Sequence, residues 1–457
     1  MRRRRAPALR LIGQVLAPGG PEYRLVGEDD QTGELVVTDR ELAAQARAAL
    51  RRHVLEPLVP RVIDREYGGF LVDFDDRWRP AGSHDKTLEH ASRTTIAFAL
   101  LDGVLPGEGC DRLVRHGCAF LQEAMWDATH GGFFAQVDRS GRPRWEGLKH
   151  PHAVTYTAEA FLLAARYLPH GEGVKWAERA LAWLDDVAWD PDHGGYRGSF
   201  RRDNQMYPDR ARLPTPDGLD VLGHAPGFKE LNTYGDAMGT LTRFVAHGVG
   251  GGAAKRLAWL VDLLVDRLSD PSGLLPYLYR ADWRPVPELV RVGLQFQMVR
   301  RLVAAGAALG RTTELVAREC ALTDFALSEA RHPAGGFCCA VTASGRTWPA
   351  TGPATDLRQW WVQLEATWAL HLLATHEGID PDARARYRTA RDEQWSFVCE
   401  RLLDPRYGGI WEVPVESGLR SRLSRWVPGG LPRRWLKTHA WKDPVHEVAT
   451  FIALGQS

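Results

Sequence analysis

Apolar residues recur at helical spacing along most of the chain, and Gly-Gly turns beside an aromatic residue break the pattern at intervals. The turns are Tyr67-Gly68-Gly69-Phe70, His130-Gly131-Gly132-Phe133, His193-Gly194-Gly195-Tyr196, Gly335-Gly336-Phe337 and Tyr407-Gly408-Gly409, with a weaker copy at Asp270-Pro271-Ser272-Gly273. The periodicity predicts helices before the turns, near 39–58, 109–125, 173–188, 252–268, 313–331 and 380–402. It predicts a second set after them, near 86–104, 150–168, 229–247, 287–309, 357–377 and 443–455.

Marked at Gly68, Gly131, Gly194, Gly273, Gly335 and Gly408, the turns are spaced by 63, 63, 79, 62 and 73 residues. Self-similarity at a nearly fixed period means stacked supersecondary units. Six helical hairpins that each need a neighbour to bury an apolar face close naturally into a ring. The expected fold is therefore all-α, an (α/α)6 toroid with one helix of each pair inside. An open helical solenoid is the alternative. The barrel is expected over 39–457. A 1–38 extension precedes it, in which 23–26 and 35–38 flank a Gly/Asp-rich turn and could form a β-hairpin.

Composition narrows the function classes. The net charge is +1, so no strong field draws nucleic acid or an anionic membrane. No stretch of 18 unbroken apolar residues predicts a membrane span. The Arg-rich start is followed by a short apolar part broken at Arg10, which does not fit a secretory signal. Six scattered cysteines without a CxxC fit a cytoplasmic protein and give no metal signature. There is no P-loop and no Gly-rich strand–helix turn, so no nucleotide cofactor is expected. Seventeen Trp suit a carbohydrate pocket or a large helical core equally. The sequence leaves open whether the chain pairs as a homodimer.

The helices after the turns carry the unusual residues, near their N-terminal ends. These are Arg93; Lys149, His150, His152 and Tyr156; Lys229 to Asp236, including Asn232; Gly293 to Gln297; Trp360, Trp361, Gln363 and Glu365; and His446. If these helices line the ring, all six sets converge at one end, where a funnel of aromatic and polar groups is the default binding site. His446 follows Asp443, a good N-cap, and Pro444, which suits the first helical position. The positive end of the helix dipole there disfavours imidazolium, leaving a neutral general base. Trp441, just before it, offers a flat wall for a sugar ring.

The Arg93 helix, Lys229-Glu230-Leu231-Asn232-Thr233, Trp360-Trp361-Val362-Gln363-Leu364-Glu365 and Trp441-Lys442-Asp443-Pro444-Val445-His446 together resemble the N-acylglucosamine 2-epimerase family, with its cellobiose 2-epimerases and mannose isomerases. The resemblance runs over roughly 50–455. It implies an (α/α)6 barrel acting on a small-molecule carbohydrate through an enediol or enolate, with two histidines and no redox cofactor. It also implies His446 as an acid/base and Arg93 as the group that stabilises the developing oxyanion. Asn232, Asp236, Gln297, Trp360, Trp361, Gln363, Glu365 and Trp441 would then contact the substrate.

Several positions depart from the family pattern. Leu294 stands where the second His is expected, Gln297 where a Glu is, and Asp236 where a His is. Val445 replaces a common Tyr and Ala449 a common Arg. Inverting a carbon beside a carbonyl is most simply done by two groups on opposite faces. A 1,2 aldose–ketose shift can run on one base and an electrophile. The chain supplies one placed base, and Asp236, Glu230, His224 and Glu365 are candidates for a second. Two other classes stay open: a glycoside hydrolase or lyase using Asp236 and Glu365, and a carbohydrate binder without turnover.

Overall fold

The structure is a computed structural model that describes residues 38–286, 289–342, 357–415 and 436–456. Among these residues, twelve long helices alternate between two layers. The outer ones are α1 (Asp39–Ala49), α3 (Cys110–Phe120), α5 (Glu172–Trp183), α7 (Ala253–Leu263), α9 (Thr312–Glu329) and α11 (Pro381–Arg401). The inner ones are α2 (Leu88–Val104), α4 (Pro151–Leu163), α6 (Leu231–Ala246), α8 (Val292–Leu309), α10 (Trp360–Thr375) and α12 (Val445–Gly455).

The inner helices pack in the order α2–α4–α6–α8–α10–α12, and α12 packs back on α2, so the ring is closed. Each inner helix also packs against the next outer helix in the chain, and α12 against α1. This is the (α/α)6 barrel, and the open solenoid is excluded. The two layers differ in burial. Most of α2, α4, α6, α8 and α10 is buried on all sides, whereas the outer helices keep one polar face in solvent.

The 23–26 and 35–38 hairpin falls outside the described residues except for Thr38. That residue caps α1: Thr38 Oγ1 accepts the Glu41 N–H at 3.2 Å, and Glu41 Oε2 accepts the Thr38 N–H at 3.1 Å.

The Gly-Gly turns share one internal construction. In the first, Gly68 N–H donates to the Asp64 carbonyl and Asp64 N–H to the Gly69 carbonyl; the pairs Asp127 with Gly131 and Gly132, Asp190 with Gly194 and Gly195, and Asp404 with Gly408 and Gly409 repeat it. A buried lysine from the strand of chain leading to the next inner helix then closes the turn. Lys86 Nζ donates to Asp64 Oδ2 (3.0 Å) and the Gly68 carbonyl (2.6 Å). Lys229 Nζ does the same to Asp190 (2.8 Å) and Gly194 (2.6 Å). Lys149 lies 3.2 Å from Asp127, and Lys437 2.6 Å from Asp404. Lys149 and Lys229, conspicuous in the sequence at the start of inner helices, are thus clamps that tie a turn to the ring.

In the fifth turn Arg358 takes this part and donates to the Gly335 carbonyl at 3.1 Å. The fourth turn has Val290 at the lysine position, two residues before its inner helix, which fits its weaker sequence signature. Glycine is required in these turns on two counts. At Gly132, for example, φ is +78° and a Cβ would sit 2.4 Å from Trp183 Nε1.

Among the described residues, strand is confined to short pieces around the turns. The pairs are β1 (Lys86–Thr87) with β2 (Gln136–Val137), then β3 (Phe228–Glu230), β4 (Leu278–Arg280) and β5 (Pro285–Val286), then β6 (Val290–Arg291) with β7 (Ala340–Val341). They place the N-terminal ends of the inner helices side by side. No helix among the described residues is long and apolar enough to cross a membrane.

Candidate active site

The inner helices begin around a cavity of about 590 Å³. Arg93, Asn232, Gln297, Trp360, Trp361, Trp441 and His446 all line it, and so does Leu294. Seven sequence candidates from five inner helices and the segment before α12 therefore meet in one place.

The remaining three stand behind the wall. Glu365, one turn deeper on α10, is 1 % exposed and holds His446 from below. Asp236 is also 1 % exposed and is shared between His152 Nε2 (3.0 Å) and Arg301 Nη2 (3.2 Å). Gln363 points into the protein instead: its amide accepts the Phe337 N–H at 2.9 Å and donates to the Phe337 carbonyl at 2.8 Å. It fastens the fifth turn to α10.

His446 is the best-oriented titratable group on the cavity. Its Nδ1–H donates to Glu365 Oε1 at 2.8 Å, and its Nε2 accepts from Arg93 Nη2 at 2.6 Å. The ring proton is assigned by these partners: a carboxylate requires a donor, and a guanidinium requires an acceptor. Nε2 therefore carries the lone pair, which Arg93 engages at the cavity wall. Burial lowers the pKa of His446, Glu365 pulls the other way, and the Arg93 charge lowers it further. The shift is in the direction expected from the helix position, toward a neutral imidazole, but burial and Arg93 are its lowering causes. The cap is also shifted by one residue. Pro444 itself stands at the N-cap, and Asp443 Oδ1 accepts the Val445 N–H at 3.0 Å.

Glu365 is held as a carboxylate. Burial alone would raise its pKa, but Arg300 and His446 keep it far below the usual range. Arg300 meets it with two nitrogens, at 2.5 and 3.0 Å. Arg93 is tied to Asp443 at 3.2 Å and lies over the Tyr156 ring, 5.1 Å from its centroid. Trp361 sits against His446 with 5.8 Å between ring centroids.

Other cavity residues either had no assigned role in the sequence, as His152 and Tyr156, or were not named in it. His152 lines the cavity between Glu89 (3.3 Å) and Asp236. Burial works against its charge, but the two carboxylates win and raise its pKa to about 9. Tyr156, one turn further along α4, lines it too. His439, Glu412 and the Asp217–Gly223 loop complete the wall. The 79-residue step between the third and fourth turns signalled that loop. Of the groups considered as a second base, Glu230 is bonded to Thr233 (2.6 Å) and His224 to the Tyr277 hydroxyl (2.9 Å). Neither reaches the cavity wall.

Residues 68–212 match the model of the N-acylglucosamine 2-epimerase family. The family resemblance read from the sequence holds over this stretch. No curated protein matches the chain. Among solved structures, cellobiose 2-epimerase from Bacillus thermoamylovorans aligns with a TM-score of 0.74 at 19% identity, over 91% of this chain and 98% of that one. A D-mannose isomerase aligns with a TM-score of 0.73 at 17% identity, over 92% and 99%. A family 76 α-mannanase from Bacteroides thetaiotaomicron aligns less closely, with a TM-score of 0.53 at 10% identity, over 92% and 95%. At these identities the likeness is one of fold, and this barrel carries both sugar-isomerising and sugar-cleaving proteins.

Proposed function

We propose that the protein is a sugar isomerase or 2-epimerase that moves a proton next to the carbonyl of an open-chain aldose or ketose. The observation that carries this reading is the His446 dyad: a neutral imidazole on the cavity, oriented by Glu365, whose Nε2 lone pair is held by the Arg93 guanidinium. Once the sugar's carbonyl oxygen takes over the Arg93 N–H, the Nε2 lone pair is released and takes the proton from C2. The C–H electrons form the C1–C2 double bond, and the carbonyl oxygen gains the charge that Arg93 stabilises. Return of the proton to C1, with the O2 hydroxyl proton passing to O1 as C2 becomes the carbonyl, gives the ketose; return to the opposite face of C2 would give the epimer.

Leu294 on the same cavity is apolar and cannot move a proton. We therefore favour the one-base 1,2 shift over fast 2-epimerisation. The hydrolase reading is not favoured: Asp236 and Glu365 are each engaged by buried cations behind the wall, and His446 faces the cavity.

The test is a panel of aldoses and ketoses incubated with the protein in deuterated water and followed by NMR. A ketose formed from an aldose supports the 1,2 shift. A C2 epimer carrying deuterium at C2 supports epimerisation. Sugar binding without turnover or exchange points to a carbohydrate-binding protein.

A further inference from the structure

Arg300 and Arg301 are neighbours on α8, and each grips a carboxylate on a different flanking helix. Consecutive residues of a helix point about 100° apart, so the two guanidinium groups diverge around the ring. Arg300 Nε donates to Glu365 on α10 at 2.5 Å, and Glu365 holds His446 on α12 at 2.8 Å. Arg301 Nη2 donates to Asp236 on α6 at 3.2 Å, and Asp236 holds His152 on α4 at 3.0 Å. The two chains of contact leave α8 in opposite directions, and each ends in a histidine on the cavity wall. Helix α2, which carries Arg93, packs against both α4 and α12 and closes the ring between them.

The two histidines rest in opposite states. His446 is neutral, whereas His152 meets a carboxylate at each nitrogen and is charged, both nitrogens donating. Groups whose surroundings push their pKa values apart divide the acid and base roles between them. The looser contact of His152 is the one from Nδ1–H to Glu89 Oε1, since 3.3 Å lies beyond the usual range and Asp236 is fixed from behind by Arg301. Glu89 stands four residues before Arg93, on the same face of α2. The Arg93 guanidinium covers the Tyr156 ring, and His152 packs edge-on against that ring with 5.5 Å between centroids. These contacts bring Nδ1–H and Arg93 to the same part of the cavity.

A 1,2 shift moves two protons. His446 carries the one on carbon, and the hydroxyl proton of O2 must also reach O1. We propose that His152 carries the oxygen-bound proton: its Nδ1–H leaves Glu89 and protonates O1, and the neutral ring then takes the proton of O2. In the first half the C2–H pair forms the C1–C2 double bond, and the C1–O1 π pair takes the Nδ1 proton. In the second half the O2–H pair becomes the C2–O2 π bond, and the enediol pair takes the proton that His446 returns to C1. His152 ends charged and His446 neutral, as both began. The proposal rests on the isomerase reading and names the group that moves its second proton. It adds no second base at carbon, so the argument from Leu294 is untouched.

The experiment is steady-state kinetics against pH on the full-length protein, with the sugar that the panel identifies, for the wild type, His152→Gln and Glu89→Gln. Thermal melts at each pH verify folding. Wild-type kcat/KM should fall on an alkaline limb near pH 9 while the protein is still folded, as His152 loses its proton. The ionisable groups that face His152 are Glu89 from α2, Asp236 and Glu230 from the α6 segment, and His150 and Tyr156 from its own. His152→Gln should lower kcat by roughly 100-fold or more with KM little changed, and the limb should vanish. Glu89→Gln keeps the ring but removes one of the two carboxylates that hold its proton, so the limb should move to lower pH. A merely structural His152 would not tie the limb to Glu89. A folded His152→Gln variant with near-wild-type kcat, a limb that survives in it, or a folded wild type without the limb would overturn the proposal and leave the isomerase reading standing. If His152→Gln does not fold, an unmoved limb in Glu89→Gln overturns it as well. A wild type that turns over no sugar overturns both.

Discussion

His446 Nδ1 lies 2.8 Å from Glu365 Oε1, and the carboxylate that fixes the imidazole is itself fixed by Arg300. The relationship is one of orientation. Glu365 does not face the cavity, so its contribution to catalysis must pass through the tautomer and the angle of the ring. His446→Ala should lower kcat by roughly 100- to 10,000-fold, the usual worth of a positioned general base. The melting temperature should barely move, because Glu365 keeps Arg300 and Arg93 keeps Asp443. Glu365→Gln tests the orientation. Its amide can present a donor to Nδ1, turn the proton onto Nε2 and so abolish the base. Retained activity in a folded Glu365→Gln variant would show that the dyad is only structural.

The pH dependence follows from the same contacts. Burial and Arg93 hold the His446 pKa below its ordinary 6.5. The active form is neutral, so kcat/KM should stay level through pH 7 and fall on an acid limb lying below pH 6.5. Arg93→Met removes a positive neighbour and should move that limb upward while also slowing the reaction. A limb above pH 6.5 in the wild type would contradict this account of the site.

His152 predicts a change in stability on the alkaline side. Its pKa rises from 6.5 to about 9 in the folded protein because Asp236 and Glu89 outweigh burial. A raised pKa stabilises the fold fully below pH 6.5, and the contribution is lost as pH climbs through about 9. The difference corresponds to about 3 kcal/mol at most. Denaturant melts should therefore show stability declining between pH 6.5 and 9. In His152→Gln that slope should be shallower. An identical slope in the variant would place the effect elsewhere.

The lysine clamps make a separate prediction, about folding alone. Lys229 is 1 % exposed and bonds Asp190, which is fully buried. Lys229→Met takes away that carboxylate's closest cation, leaving Arg197 at 3.7 Å and His193 at 3.6 Å, and strips a donor from two carbonyls. The expected loss is about 3–5 kcal/mol, as for other broken buried pairs. The effect should appear in urea melts, while kcat of the folded enzyme stays close to wild type. If kcat fell and stability held, Lys229 would belong to the site after all.

The ring was legible because its signal is repeated. Five Gly-Gly turns and one weaker copy, flanked by helical periodicity, leave few architectures, and closure follows once every inner helix needs two neighbours. The candidate site was legible where residue type and helix position agreed, as for Arg93, Asn232, Trp361 and His446. It was not legible where a polar residue on an inner helix serves the fold. Gln363 and Lys229 sit at the same level as the cavity residues but turn toward a Gly-Gly turn, and spacing alone cannot separate the two directions. His439 and Glu412 were missed for the opposite reason. They lie in irregular segments, where no periodicity marks a face, and only the folded chain brings them within 3.4 Å.

The last prediction concerns Leu294, which is 1 % exposed and lines the cavity that His446 faces. The family resemblance puts a second histidine there, and a leucine can neither accept nor return a proton. If its loss is what confines the protein to a one-base shift, Leu294→His should restore two-faced transfer. In deuterated water the wild type should convert an aldose into the ketose, with deuterium at C1 or with the original proton returned. The variant should add a C2 epimer carrying deuterium at C2, with the epimer-to-ketose ratio raised at least tenfold. The substitution puts a polar ring where a branched apolar side chain packs, and an unbonded buried group costs roughly 1–3 kcal/mol. A modest fall in melting temperature is therefore expected and does not bear on the outcome. Two results would defeat the argument: clean, rapid C2 epimerisation by the wild type, or a folded Leu294→His variant whose product ratio is unchanged. The first would call for a second base elsewhere on the cavity, and the second would show that the geometry opposite His446, not the leucine, decides which face is protonated.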